Sequence, residues 1–373
     1  MTTPNAIPES IPDSNPNVPM VSEDVFYARH LKLPGFNRAT QERLRKARVL
    51  IVGVGGLGCP AALYLAGAGV GHIALCDADA VSATNLHRQV LFTVADVGRK
   101  KVEVAAERLS ATNPHISILQ IPRFADEQLL AELVPKFDLV LDGTDNFSAK
   151  YEINDACEAA GVPLVYGSIF QFEGQVSLFH AATEKHPTGI SYRDLYPTAP
   201  PAGLSQNCGE AGVIGVLPGI IGTLQANEAI KHLAGLGETL SGTLVIFDAL
   251  TARMQRFALA RRSKKSAVVD TMAGQITADE LQVRLAGDRK PLLLDVRDDD
   301  ERARGHLGGL HIPLMSLPPR LSELQTGQDI VAYCKSGVRS AKAALYLRSV
   351  LPGVQIYSLE GGIEGPACAL MAA

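Results

Sequence analysis

The sequence predicts an α/β chain built on a mainly parallel sheet, followed by a second, smaller α/β domain. Three observations carry this. Short apolar runs alternate with helical periodicity, a glycine fingerprint joins the first run to the first helix, and the alternation restarts after a basic, structureless stretch. Strands separated by helices in this way pair in parallel, with helices covering both faces.

Taken in order, the first twenty residues hold five prolines among Asn, Ser and Thr, so residues 1–20 are expected to be a disordered tail. Val21 to Lys46 is polar and helical, interrupted at Leu33-Pro34-Gly35. Val49–Val52 is the first buried strand, and strands follow at Ile73–Cys76, Ile116–Ile121, Leu139–Leu141 and Leu164–Tyr166. Helical periodicity covers Lys101–Leu109 and Ala149–Ala160. Gln175–His180 and Gly242–Asp248 are further strands, with a long helix over Gly219–Leu233 between them. Arg261–Ser266 is a charged linker, and Thr277-Ala278-Asp279-Glu280 is a capping box that opens a new helix. Leu292–Val296, Ile330–Cys334 and Gln355–Leu359 are the strands of the small domain. The domains are therefore placed at 21–262 and 275–373, joined by a linker over 263–274.

Val49 to Cys76 carries no Asp, Glu, Lys or Arg and is long enough to span a bilayer. Its seven glycines, Pro60 and short apolar runs fit a strand, a turn, a helix and a second strand better. No basic-then-apolar segment marks a signal peptide, so a soluble, cytoplasmic protein is expected, with no membrane association. The net charge of −4 disfavours wholesale binding to nucleic acid. Six cysteines at irregular spacing do not read as a disulfide framework. Cys59, Cys76 and Cys157 fall in apolar patterns and are expected to be buried structural thiols.

Gly53-Val54-Gly55-Gly56-Leu57-Gly58 follows the first strand and opens a helix, an arrangement that lets backbone N–H groups approach phosphate. Asp77, nineteen residues after Gly58, can grip ribose hydroxyls. So far a dehydrogenase fits equally well. The next residues argue otherwise: Asp77-Ala78-Asp79, then Thr84-Asn85-Leu86-His87-Arg88-Gln89, then Lys101. A triphosphate needs such a convergence of Asn, Arg and Lys to offset its charge, above all while pyrophosphate departs. Asp142-Gly143-Thr144-Asp145-Asn146 ends a later strand, where Asp145 can hold Mg²⁺ and Asn146 can touch nucleotide.

Gly-Val-Gly-Gly-Leu-Gly, Asp-Ala-Asp, Asn-Leu-His-Arg-Gln and Thr-Asp-Asn in this order resemble the MoeB/ThiF family, from about Tyr27 to Phe257. These Rossmann-like relatives of ubiquitin-activating enzymes adenylate the C-terminal glycine of ubiquitin-like sulfur carriers. The resemblance implies that Gly56 and Asp77 line adenosine, that Asn85, Arg88 and Lys101 contact phosphates, and that Asp145 holds the metal. It implies that Arg29 reaches into a partner subunit's site, hence a homodimer. It also implies that Cys208, in a Pro-rich loop, can form a thioester or acyl-disulfide link to the carrier. A loop cysteine without a covalent role is the other reading of Cys208. Relatives carry two Cys-x-x-Cys pairs that bind structural zinc. Here the first pair aligns with Ser191 and Asp194, and Arg261–Asp270 has no cysteine, so no structural zinc is expected. His180, His186, Asp194 and Cys208 give no familiar metal spacing.

In the small domain, Cys334-Lys335-Ser336-Gly337-Val338-Arg339 ends a strand and enters a helix. Such a loop is a nest of N–H groups, and Lys335, Arg339 and the helix dipole are expected to favour an anionic sulfur. With Asp295 and Arg297, this resembles a rhodanese domain over about Gln275 to Leu370, with Cys334 as the persulfide carrier. A cysteine phosphatase has five residues between Cys and Arg, and here there are four. The usual Trp near Gly361–Pro366 is missing, which bears on the packing of the last helix.

Together the resemblances imply a fused enzyme using ATP and Mg²⁺, with a ubiquitin-like sulfur carrier as partner. Thiosulfate or a cysteine desulfurase persulfide would be the sulfur donor. The rivals are a non-catalytic scaffold and a dinucleotide-dependent oxidoreductase with a rhodanese-like docking module.

Overall fold

A computed structural model describes residues 21–196, 212–261 and 274–365, apart from 288, 318–319, 321–322, 325–326 and 352–353. The expected tail, the linker up to residue 273 and Cys208 lie outside the described residues. The chain divides into two compact units between Arg262 and Ser263.

In the large unit the helices α1 (Glu23–Phe26) and α2 (Arg38–Lys46) precede β1 (Arg48–Val52). Then follow α3 (Gly58–Ala68), β2 (His72–Cys76), α4 (Lys101–Thr112), β3 (Ser117–Ile121), α5 (Glu127–Leu133), β4 (Leu139–Asp142) and α6 (Phe147–Ala160). β5 (Leu164–Phe170), β6 (Glu173–Phe179), α7 (Tyr192–Leu195), α8 (Val216–Ala234), β7 (Thr243–Asp248) and β8 (Arg253–Ala258) complete it. The eight strands lie in the order β3-β2-β1-β4-β5-β6-β7-β8.

β1 to β5 are parallel and joined in turn through helices; β6, β7 and β8 pair antiparallel. The change of sense occurs at the two-residue turn after Phe170, where Gln171 has φ 51°, the positive value that hairpin turns require. After the exposed Arg48, β1 is apolar because both faces are covered. Val49 and Ile51 enter one core layer with α3, α4 and α8, while Leu50 and Val52 enter the other with α5 and α6. The apparent membrane-length stretch is thus β1, α3 and β2, and among the described residues no helix is long and apolar enough to cross a membrane.

The sequence pattern gave no sign of β8. Every residue of this edge strand is exposed, so only its ladder to β7 defines it. α8 begins three residues earlier than the periodicity suggests, at Val216.

The small unit has a five-stranded parallel sheet in the order β11-β10-β12-β13-β9. Its elements are β9 (Gln275–Ile276), α9 (Ala278–Ala286), β10 (Leu292–Asp295), α10 (Asp299–Ala303), β11 (Leu310–His311), β12 (Ile330–Tyr333), α11 (Val338–Val350) and β13 (Ile356–Leu359). The Thr277/Glu280 capping box opens α9 as its spacing predicts. β9 and β11, two residues each, are too short to leave a periodic signal.

Candidate functional site

The strand order reverses direction of growth between β1 and β4, and ligands of such sheets bind outside the carboxyl ends at that point. There the backbones of two loops interlock. Gly53 has φ +90°, and a Cβ built on it would lie 2.8 Å from the Gly143 carbonyl. A Cβ on Gly58 would lie 2.0 Å from the Gly53 carbonyl oxygen. These positions need glycine, and the loop they form leads into α3, whose N-terminus has no side-chain cap. The Cys59 N–H is taken by the Gly55 carbonyl and Pro60 carries none, which leaves the Gly58 N–H at the helix start for a ligand. Gly56 packs against Pro218 of α8, and Gly55 faces Gln89.

Asp77 braces this loop from the end of β2. Its carboxylate accepts from the Val54 N–H and the Asp79 N–H, each at 2.8 Å. Burial pushes the Asp77 carboxyl up, against the pull of Lys101. Lys101 is buried and donates to Asp79 Oδ2 at 2.8 Å, with Asp77 Oδ2 at 3.9 Å. Asp77, Asp79 and Lys101, read from separate motifs, thus form one charged group beside the glycine loop.

The Thr84–Gln89 segment turns over the same region. The Arg88 guanidinium donates to the Thr84 carbonyl at 3.3 Å, and the Thr84 hydroxyl pairs with Ser82. Asn85 accepts backbone N–H groups from Arg88 and Gln89 through its carbonyl. Leu86 packs on the core, and the exposed His87 has its carbonyl close against Gly215. Gln89 is 4% exposed, yet its Oε1 has no protein partner. A buried orphan acceptor beside the glycine loop is what a site shaped for a polar ligand leaves behind.

Asp145 stands exposed just past β4. Asn146 caps α6, its Oδ1 accepting from the Ala149 N–H at 2.9 Å. Among the described residues no group of three or more His, Cys, Asp or Glu could hold a metal alone. One exposed carboxylate suits Mg²⁺, which binds through one or two carboxylates plus substrate phosphates. Arg29 is also exposed, while Tyr27 two residues earlier is buried and takes a hydrogen bond from Asn113 Nδ2. Sequence reasoning missed Lys150 of α6 and Gln225 of α8. Both are buried, and both reach the end of β4.

In the small unit, Cys334 directly follows β12 and is 1% exposed. The Ser340 hydroxyl lies 3.5 Å from its Sγ, and Gly337 turns the chain with φ +89°. Val338 and Arg339 form the first turn of α11. Arg339, the loop cation, is held by carboxylates. Its guanidinium donates to both Glu301 oxygens at 2.6 Å and lies 3.3 Å from Asp298. Lys335 pairs with Glu364 at 3.3 Å. Beneath the loop, the Asp295 carboxylate and Arg297, both buried, share hydrogen bonds at 2.9 and 2.7 Å.

Cys59, Cys76 and Cys157 are buried, as structural thiols are. Burial pushes Cys59 and Cys76 up to about 12 and raises Cys157 as well. At the corner of the expected missing zinc, Ser191 and Asp194 close a capping box on α7. The Asn154 Oδ1 there accepts from Ser191 Oγ and the Tyr192 N–H, with His180 Nε2 at 2.9 Å.

The ThiF family model matches residues 27–268, and a rhodanese-like domain model matches 277–366. The chain belongs to the ThiF family. It is similar along most of its length to the "Probable adenylyltransferase/sulfurtransferase MoeZ" of Mycobacterium tuberculosis, with 39% identity covering 90% of this chain and 91% of the relative. The "Sulfur carrier protein adenylyltransferase" of Thermus thermophilus is 45% identical, covering 64% of this chain and 88% of that protein. "Adenylyltransferase and sulfurtransferase MOCS3-1" of Zea mays is 36% identical, covering 86% and 77%. The crystal structure of E. coli MccB with a MccA variant shares the fold, at TM-score 0.56 and 24% identity over 65% of this chain and 73% of that one. This ThiF–rhodanese chain is an enzyme of two activities, adenylyl transfer and sulfur transfer.

Proposed function

We propose that the large unit adenylates the C-terminal glycine of a ubiquitin-like sulfur carrier, and that the small unit converts the activated end to a thiocarboxylate. The observation that carries the first half is the interlocked glycine loop beside the orphaned Gln89 acceptor and the buried Lys101. A carrier carboxylate oxygen attacks the α-phosphorus of ATP, the bond to pyrophosphate breaks, and the acyl group gains AMP as leaving group. Glycine-loop N–H groups, Asn85, Arg88 and Lys101 stabilise the charge that grows on the phosphates. Asp145 would hold Mg²⁺, which would supply positive charge against the phosphates. Arg29 of a partner subunit completes the site in a homodimer.

In the second half, the terminal sulfur of a Cys334 persulfide attacks the acyl carbon and AMP leaves. A thiol, either Cys208 or an external reductant, then attacks the Cys334 sulfur and releases the thiocarboxylate. Thiosulfate or the persulfide of a cysteine desulfurase charges Cys334. This is soluble, cytoplasmic chemistry without zinc.

The test incubates the protein with candidate carriers, ATP, Mg²⁺ and thiosulfate, and weighs the carriers. A gain of one sulfur in exchange for one oxygen is expected. Asp145→Ala should abolish carrier-dependent pyrophosphate exchange and leave thiosulfate:cyanide sulfurtransfer intact, and Cys334→Ala should do the reverse. Loss of exchange in a folded Cys334→Ala protein would overturn this division of labour.

A further inference from the structure

We propose that Lys150 is a positioning residue for adenylyl transfer: by donating to the Thr144 carbonyl it fixes the peptide that carries Asp145. This rests on the reading of Asp145 as the metal-holding carboxylate. Lys150 lies one helical turn into α6 and is 5% exposed. Its ammonium has three N–H bonds and three acceptors: Asp142 Oδ2 at 2.7 Å, the Gly167 carbonyl at 2.7 Å and the Thr144 carbonyl at 3.1 Å. With all three donors engaged, the ammonium cannot rotate without losing a bond. The face of Tyr166 closes the fourth side, its centroid 5.2 Å away.

Asp142 clamps the same turn from below. Its Oδ1 accepts from the Thr144 N–H at 2.9 Å and the Thr144 hydroxyl at 2.6 Å. Both peptide groups of Thr144 are therefore held, one by Asp142 and one by Lys150. The next residue is Asp145, whose own side chain is exposed and has to be aimed by its backbone. Gln225 adds an independent brace from α8, donating to the Asp142 carbonyl at 2.7 Å.

Stability alone does not require this pair, because an apolar pair of similar volume commonly serves a buried position as well or better. What an apolar pair cannot do is hold a carbonyl of β5 and one of the loop after β4 in fixed directions. The ion pair links the carboxyl end of β4 to the middle of β5, and the direction it fixes is that of the Thr144–Asp145 peptide.

Two variants test the assignment. Lys150→Arg keeps the buried charges paired, but a planar guanidinium cannot place N–H groups on all three acceptors as the ammonium does. It should fold with a lowered melting temperature, since one buried acceptor loses its donor, keep its KM for ATP, and lose about tenfold in kcat of carrier-dependent pyrophosphate exchange. Lys150→Met combined with Asp142→Asn removes both charges, so that no carboxylate is stranded, and Gln225 still braces the turn. It should bind ATP in EDTA as wild type does, and lose the extra rise in melting temperature that Mg²⁺ adds to ATP. A Lys150→Arg protein with wild-type kcat and wild-type Mg²⁺ dependence overturns the proposal, whether or not the double variant folds. If wild type itself gains no stability from ATP and Mg²⁺, the adenylation reading fails, and this proposal fails with it.

Discussion

Replacing Gly58 by alanine asks directly whether the glycine loop is the phosphate cradle. The new Cβ would stand 2.0 Å from the Gly53 carbonyl oxygen, whereas real Cβ atoms essentially never come within 3.0 Å. The obstacle is backbone, so the loop and the start of α3 must part by at least about 1 Å, and a misplacement of that size costs on the order of a hundredfold in rate. Overpacking of this kind also costs about 1–3 kcal/mol of stability, which a folded large unit can survive. The control is Gly67→Ala on the same helix, where a Cβ meets nothing within 4 Å. Helix propensity makes that change neutral to stabilising, by up to ~1 kcal/mol. The assay is carrier-dependent exchange of labelled pyrophosphate into ATP, with thiosulfate:cyanide transfer as an internal reference for the small unit. Gly58→Ala should lose about two decades of exchange and none of the sulfur transfer, and Gly67→Ala should lose neither. A folded Gly58→Ala protein that exchanges pyrophosphate at the wild-type rate would refute the reasoning.

Three further outcomes are expected. Arg29→Ala subunits mixed with Asp145→Ala subunits should recover about a quarter of the wild-type exchange rate after random re-pairing, since each mixed dimer of a two-fold assembly keeps one intact site; a verified heterodimer without activity sinks the role given to Arg29. Elemental analysis of untagged protein purified without chelators should find no stoichiometric zinc, and Asn154→Ala should destabilise the corner where Ser191 and Tyr192 meet it; zinc that survives dialysis contradicts this. For the small unit, burial raises Asp295, but the Arg297 hydrogen bonds outweigh it and hold the carboxyl below its ordinary value of 3.8. A folded value below the unfolded one means that this stability is fully present above about pH 4–5 and is lost as pH falls through the folded value. Asp295→Asn should therefore flatten the acid limb of small-unit melting, and an unchanged acid limb would show that Asp295 does not control it.

Much of this protein is written locally. A turn that needs glycine, a helix that needs a cap, and a cysteine that must end a strand are decided within a few residues, because backbone sterics and nearest-neighbour hydrogen bonds act at that range. The glycine loop, the Thr277 capping box and the Cys334–Arg339 loop were legible for that reason, and so was the alternation that makes the sheet parallel. β8, exposed on both faces, had no pattern to read. The tertiary structure alone decided what meets across distance. It set β4 beside β1, so that Gly143 closes on Gly53. It buried Gln89 with an acceptor unspent, turned Arg339 onto Glu301, and brought Lys150, Asp142 and Gly167 to one point. Which charge a buried cation neutralises depends on which strands pack together, and single residues separated by a helix or more carry no periodic trace of that packing.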